Sequence, residues 1–100
     1  MKRRNERIVC ADGFSMSVQA HEGAYCTPRF SGASVYMEAE IGYPNRYEPL
    51  IMQWCENPAK PCDTVYGYVP RQVIMMVIAK HGGVISGDLP NGIGRITPAT

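Results

Sequence analysis

A single dipeptide, Asp12-Gly13, constrains the fold of this chain more than any other feature of its sequence. It separates two runs rich in strand-forming residues, 8–11 and 14–20. Asp-Gly is typical of a two-residue type I′ turn, in which both central residues adopt positive φ. We therefore predict a β-hairpin in which Ala11 pairs with Phe14.

This pairing determines which side chains of the hairpin face the core. Because side chains alternate between the two faces of a strand, the predicted core face carries Val9, Ala11, Phe14, Met16 and Val18. The opposite face then carries Ile8, Cys10, Ser15, Ser17 and Gln19. The first face is the more apolar one, so we expect it to pack against the rest of the domain.

A long connection and a second strand follow the hairpin. Residues 21–34 are rich in small and turn-forming side chains without a period, which predicts a loop. The alternation in residues 35–43 predicts a half-buried strand. Its inner face would carry Val35, Met37, Ala39, Ile41 and Tyr43, and its outer face Tyr36, Glu38 and Glu40.

The second half of the chain predicts two helices on either side of a strand. Asn45, with Glu48 three residues later, resembles the N-cap of a short helix over residues 50–55. The β-formers of residues 64–69 predict a strand. A helix would follow from Pro70 to His81, and Gly82 would end it.

The 100 residues fit one domain, which we divide into a basic arm 1–7, a body 8–85 and a loose tail 86–100. One brief strand at Val84-Ile85, directly before that tail, is left open. The predicted class is α+β. A small antiparallel sheet, made of the N-terminal hairpin and two further strands, would carry two short helices on one face.

Composition argues against several classes of partner and compartment. The net charge of +1 implies no general attraction to nucleic acid or anionic membrane. The N-terminal residues contain no secretory h-region, and the apolar run 73–79 is too short to span a bilayer. We therefore expect a cytoplasmic protein with its four cysteines reduced.

No pattern of catalytic or metal-binding residues stands out. The shortest spacings among possible zinc ligands are Cys55 to Cys62 and His21 to Cys26, and neither is a Cys-x2-Cys knuckle. A thiol and base pair of Cys26 with His21 would lack a third, orienting group. We expect no enzyme activity and no cofactor, and a zinc-stabilised module is the weakest alternative.

Two sets of side chains are candidate binding residues. The first is the outer face of the 35–43 strand, where Tyr36, Glu38 and Glu40 would form an acidic patch able to imitate nucleic-acid phosphates. The second would hold a small planar anion or nucleotide, and its residues are Tyr25, Arg29, Tyr66 and Tyr68.

Several strings resemble a group of small tailed-phage accessory proteins over most of residues 8–85. They are Ala11–Ala20, Tyr25–Arg29, Glu40–Pro44, Thr64–Pro70 and Lys80–Gly83. The resemblance implies an origin and a setting more than an activity. Small phage accessory proteins commonly bind and disable a host protein, including components of bacterial defence. A host protein is the expected partner, in preference to nucleic acid or membrane, and a homodimer is left open.

Overall fold

The computed structural model describes residues 4–99. They contain a five-stranded sheet of order β4-β3-β2-β1-β5, in which all neighbours are antiparallel. Its strands are β1 (Ile8–Cys10), β2 (Ser15–Gln19), β3 (Glu38–Gly42), β4 (Val65–Pro70) and β5 (Val84–Ser86). A 3₁₀ helix, Pro49–Trp54, precedes β4, and the α-helix α1, Arg71–Lys80, follows it. The predicted α+β class is confirmed, with β5 added to the predicted strands.

Both helices contribute to one core. Ile51 of the 3₁₀ helix and Ile74, Val77 and Ile78 of α1 are fully buried there. The sheet contributes Ile8, Cys10, Phe14, Met16, Val18, Ala39, Ile41, Tyr66, Val69 and Val84. Among residues 4–99, no helix is long and apolar enough to cross a membrane.

The turn of the N-terminal hairpin contains three residues instead of the predicted two. Cys10 N donates to Phe14 O at 2.8 Å, and Gly13 N donates to Cys10 O at 3.0 Å. Gly13 has a φ of +91°, whereas Asp12 has no positive φ and instead accepts a hydrogen bond from Phe14 N. A type I turn followed by one left-handed residue has this form, so the predicted type I′ turn was wrong.

Because of the additional loop residue, the side chains of β1 point to the faces opposite to those predicted. Ile8 pairs with Met16, so Ile8 and Cys10 are fully buried, while Val9 is half-buried and Ala11 is exposed. A shift of one residue exchanges the two faces of a strand because the side-chain period is two. The predicted core positions of Val9 and Ala11 were therefore wrong, and those of the β2 residues were right.

The predicted strand 35–43 is shorter than expected. Ala39 and Ile41 are buried as predicted, but Val35, Met37 and Tyr43 are exposed. Tyr36, expected on the outside, is buried instead. The regular ladder covers only β3, so the alternating pattern of a strand does not apply to the residues before it. After it, Tyr43 turns out of the strand with a φ of +50°.

The 3₁₀ helix has a different N-cap from the predicted one. Its N-cap is Glu48, whose Oε2 accepts from Leu50 N at 2.9 Å. Asn45 is not a cap, because its side chain binds the hairpin, accepting from Ser15 N and donating to Gly13 O. By contrast, α1 agrees with the prediction. It starts directly after Pro70, and it ends just before Gly82, which takes a left-handed φ of +89°.

The two terminal segments contact the body at several points. Residues 1–3 of the predicted arm lie outside the described residues, as does residue 100. Arg7 binds Ser15 through its side chain, and Asn5 N donates to the side chain of Gln19. Residues 87–99 form no helix or strand, yet Ile96 O accepts from Val84 N and Ile93 is buried.

Candidate functional site

The structure removes two tyrosines from the predicted binding residues. Tyr36 is buried, and its hydroxyl donates to Phe30 O at 2.7 Å and accepts from Ala33 N. It thereby fixes the loop internally. Tyr66 is fully buried, and its hydroxyl donates to Pro61 O at 2.6 Å. Both rings are buried, so the exposed positions predicted for Tyr36 and Tyr66 were wrong.

A β-bulge separates Tyr66 from Tyr68, although strict alternation would place them on the same face. Ala39 pairs with Val69, and the next pair joins Ile41 to Tyr66. Two β4 residues therefore lie opposite one β3 residue, which is the definition of a bulge. Tyr68 takes a φ of +56° at this point and turns its ring out of the sheet, where it is 42% exposed.

The long loop places two further predicted residues against Tyr68. Tyr68 N donates to Tyr25 O at 3.0 Å, and the two rings lie 5.8 Å apart with a tilt of 31°. The guanidinium carbon of Arg29 lies 5.1 Å from the centre of the Tyr25 ring. We call Tyr25, Arg29 and Tyr68 the tyrosine–arginine surface.

The absence of a side chain at Gly67 allows the loop to lie close to β4. A Cβ atom at this position would stand 3.1 Å from the Cβ of Tyr25, which is closer than side chains normally approach. The glycine therefore serves the close contact between loop and sheet. The position of Tyr25 is set by tertiary packing as well as by its backbone hydrogen bond.

The predicted acidic residues anchor the same loop. Glu40 Oε1 accepts from Tyr25 N at 2.8 Å, and Glu38 Oε1 accepts from Thr27 Oγ1 at 2.7 Å. Both glutamates are half-buried. With Tyr36 buried, the predicted acidic patch is reduced to these two carboxylates, which form the base of the tyrosine–arginine surface.

A small cavity lies apart from the tyrosine–arginine surface. It has a volume of about 160 Å³, and its lining residues are Asn5, Ala20, Gly32, Tyr36, Leu89, Pro90 and Asn91. None of the three residues of the tyrosine–arginine surface lines it. Pockets for drug-sized ligands usually have about 300–1,000 Å³, so this cavity is small for such a ligand.

A group of charged side chains around the buried Glu48 and His81 was not predicted from the sequence. His81 Nδ1 lies 2.7 Å from Asp12 Oδ2, and His81 Nε2 lies 2.6 Å from Glu48 Oε1. Lys80 Nζ donates to Glu48 Oε2 at 2.9 Å. We call Asp12, Glu48, Lys80 and His81 the His81 ion network. It joins the hairpin turn, the cap of the 3₁₀ helix and the end of α1.

The carboxylates of the His81 ion network are held in their ionised form. Burial raises the pKa of Glu48, but the hydrogen bonds from Leu50 N, Lys80 and His81 outweigh burial and lower it overall. The hydrogen bond with His81, followed by that from Phe14 N, lowers the pKa of Asp12. The two carboxylates thus hold the His81 ring from opposite sides, one at each ring nitrogen.

The thiols and histidines offer no activated nucleophile or metal site in the described part of the chain. Cys26 Sγ contacts the backbone oxygen of His21 at 3.3 Å, and burial raises the pKa of the Cys26 thiol. All four cysteines are free. Between residues 4 and 99, no three His, Cys, Asp or Glu side chains are grouped so that they could hold a metal ion.

Comparison with known proteins does not identify a relative. No protein-family model, no curated protein and no solved structure matches this chain. Function is therefore inferred from the geometry of the described residues. The His81 ion network is internally satisfied, whereas the tyrosine–arginine surface presents aromatic and cationic side chains to solvent.

Proposed function

We propose that this chain is a non-enzymatic accessory protein of the tailed-phage type, and that it binds a host protein through the tyrosine–arginine surface. The observation that supports this proposal is the contact between the exposed rings of Tyr25 and Tyr68 and the Arg29 guanidinium. Tyrosine and arginine are enriched among the residues that dominate binding energy at protein interfaces. Components of bacterial defence are the host proteins that the resemblance suggests.

The backbone of Tyr68 supports a functional role for its ring. A side chain at a φ of +56° costs about 1–2 kcal/mol relative to the right-handed conformation. Strained residues of this kind concentrate at sites of binding and catalysis. Because the ring is exposed, burial of its apolar surface does not offset this cost, which a ring used in recognition would explain.

The loop around the tyrosine–arginine surface is itself rich in exposed apolar side chains. Phe30, which directly follows Arg29, is 54% exposed, and Val35 and Met37 are also exposed. Aromatic residues and methionine are enriched at the core of interfaces. We propose that Phe30, the neighbour of Arg29 in the chain, contributes to the contact with a protein partner.

The test is capture of the partner with matched variants. The tagged protein, the double variant Tyr25→Ala/Tyr68→Ala and the control Tyr47→Ala are expressed in bacterial host cells, and bound proteins are identified by mass spectrometry. Tyr47 is a suitable control because its side chain is 59% exposed and lies outside the surface. We expect one host protein to be retained by the wild type and the control and lost with the double variant.

Binding is then measured between the purified proteins. The double variant should weaken affinity at least about tenfold, the effect of losing one important interface side chain. Equal binding by the double variant, or loss of binding only in Tyr47→Ala, would contradict the proposed surface.

A planar anionic ligand such as a nucleotide is the second candidate. One observation favours it, since Tyr25, Arg29 and Tyr68, predicted for this role, do converge on one surface. A nucleotide present at 100 times its dissociation constant would stabilise the fold by about 2.7 kcal/mol. A thermal-shift screen with nucleotides measures this, and the absence of any shift would remove this candidate.

A further inference from the structure

We infer that the partner presents a carboxylate to Arg29, so that the tyrosine–arginine surface recognises an acidic segment of a protein. This inference rests on the proposed function and adds the chemistry of the partner. It depends on the hydrogen-bonding state of Arg29, on the charges beside it and on the rings that flank it.

Arg29 differs from most other arginines of the chain. Its guanidinium lies over the Tyr25 ring and forms no hydrogen bond or ion pair with any residue between 4 and 99. Four arginines donate to backbone carbonyls within the fold, namely Arg7, Arg46, Arg71 and Arg95. The Tyr25 ring is thus the contact that positions Arg29, and the N–H groups of Arg29 have no acceptor among residues 4–99.

A carboxylate is the group that best fits the N–H donors of the Arg29 guanidinium. The guanidinium presents donors in a fixed fork, which matches the two oxygens of a carboxylate. The contact with the Tyr25 ring limits the orientations of Arg29 before binding, so less freedom is lost when an anion binds. The Tyr68 ring, 5.8 Å from that of Tyr25, would contact an apolar side chain next to the acidic one.

The neighbouring charges favour a protein over a nucleic acid. Glu38 and Glu40 lie under the same loop and bind Thr27 and Tyr25, so the surface carries two negative charges beside the single positive charge of Arg29. A polyphosphate backbone would be repelled by this balance. In a peptide segment of mixed charge, one carboxylate can pair with Arg29, and the other residues of the segment need not place a negative charge next to Glu38 or Glu40.

The probe is a ribosome-displayed library of random peptides, selected on the immobilised full-length protein. We expect enriched peptides with Asp or Glu beside a large apolar residue. Affinity for a synthetic enriched peptide should fall at least about tenfold with Arg29→Ala and further with Arg29→Glu, and should be partly restored with Arg29→Lys. Arg4→Ala is the control, because Arg4 is an exposed arginine outside the surface.

A double-mutant cycle separates the carboxylate contact from other effects. Replacing the acidic residue of the peptide by its amide should weaken binding to the wild type but not weaken binding to Arg29→Ala any further. Additive losses would overturn the inference. So would a library that enriches no acidic peptide, or an oligothymidine probe whose binding depends on Arg29 when no peptide does.

Failure of the inference and failure of the proposed function give different results. If the captured host protein needs Tyr25 and Tyr68 but is insensitive to Arg29→Glu, the surface is right and the carboxylate is wrong. If the captured protein is insensitive to all three residues, the proposed surface itself is wrong.

Discussion

The His81 ion network and the tyrosine–arginine surface contain the same kinds of groups in opposite states. In the network, the His81 ring stacks on Phe14 at 4.1 Å, and two carboxylates bind its nitrogens. In the surface, the Arg29 guanidinium lies over the Tyr25 ring, but the carboxylate of Glu40 binds the backbone of Tyr25 instead of the Arg29 cation.

This difference in pairing separates charges that stabilise the fold from a charge that remains available for recognition. Glu48 is completely buried, and a buried carboxylate must be paired because its desolvation is costly. Arg29 is exposed, so water solvates it and pairing is not required. We therefore expect changes in the network to alter stability and changes in the surface to alter binding.

The largest effect on stability is expected for Glu48→Gln. The neutral amide cannot balance the charge of Lys80 or offer two acceptor oxygens to His81 and Leu50 N, so removing the carboxylate should lower the free energy of unfolding by about 3 kcal/mol. Urea unfolding followed by the fluorescence of Trp54 measures it. Glu56→Gln is the matched control, since Glu56 is exposed and its replacement should change stability by no more than about 0.5 kcal/mol.

A loss below about 1 kcal/mol for Glu48→Gln would show that the His81 ion network contributes little, since that is the range of an ordinary exposed ion pair. It would also remove the contrast between the two regions.

Acid should weaken the fold through the same network. Asp12 and Glu48 have lowered pKa values in the folded protein, compared with ordinary values of 3.8 and 4.5. Their contribution is therefore complete above these ordinary values and is lost as the pH falls through the lower folded values. The midpoint of urea unfolding, measured from pH 7 to pH 3, should decline less steeply for Asp12→Asn/Glu48→Gln than for the wild type. Parallel declines would assign the acid sensitivity to other groups.

The smallest effect on stability is expected within the tyrosine–arginine surface. Tyr68→Gly relieves the positive φ, whereas Tyr68→Ala removes the same ring and keeps the strain. The glycine variant should be more stable than the alanine variant by about 1 kcal/mol, and both should lose partner binding. Urea unfolding and the binding assay measure the two effects. An alanine variant as stable as the glycine variant would show that the left-handed backbone carries no cost.

Signals that are local in the sequence predicted the fold class and most elements. Alternation over residues 35–43 and the β-forming residues of 64–69 predicted strands, and the apolar spacing between Pro70 and Gly82 predicted α1. These patterns are local because each depends on a repeat of two or 3.6 residues and on the residues that end it. The face that a side chain takes can depend on one extra residue in a turn or bulge, which such patterns do not show, so β1 and Tyr66 were assigned to the wrong faces.

The candidate site was predictable only in part. The loop composition and the strand tyrosines suggested Tyr25, Arg29 and Tyr68, and the structure brings these three together. Tyr36 and Tyr66 have the same composition signal and are buried. Sequence alone does not distinguish a buried tyrosine from an exposed one when a bulge or a loop contact decides its direction.

The sequence by itself determined that this chain forms one antiparallel sheet with helices packed on it, because periodicity and turn residues act over a few positions. Only the tertiary structure decided that Asp12 and Glu48 meet His81, from 69 and 33 positions away, and that Arg29 lies over the Tyr25 ring without an anionic partner among residues 4–99. Contacts between distant residues arise when the core closes, since burial requires charges to pair inside and leaves those outside to water.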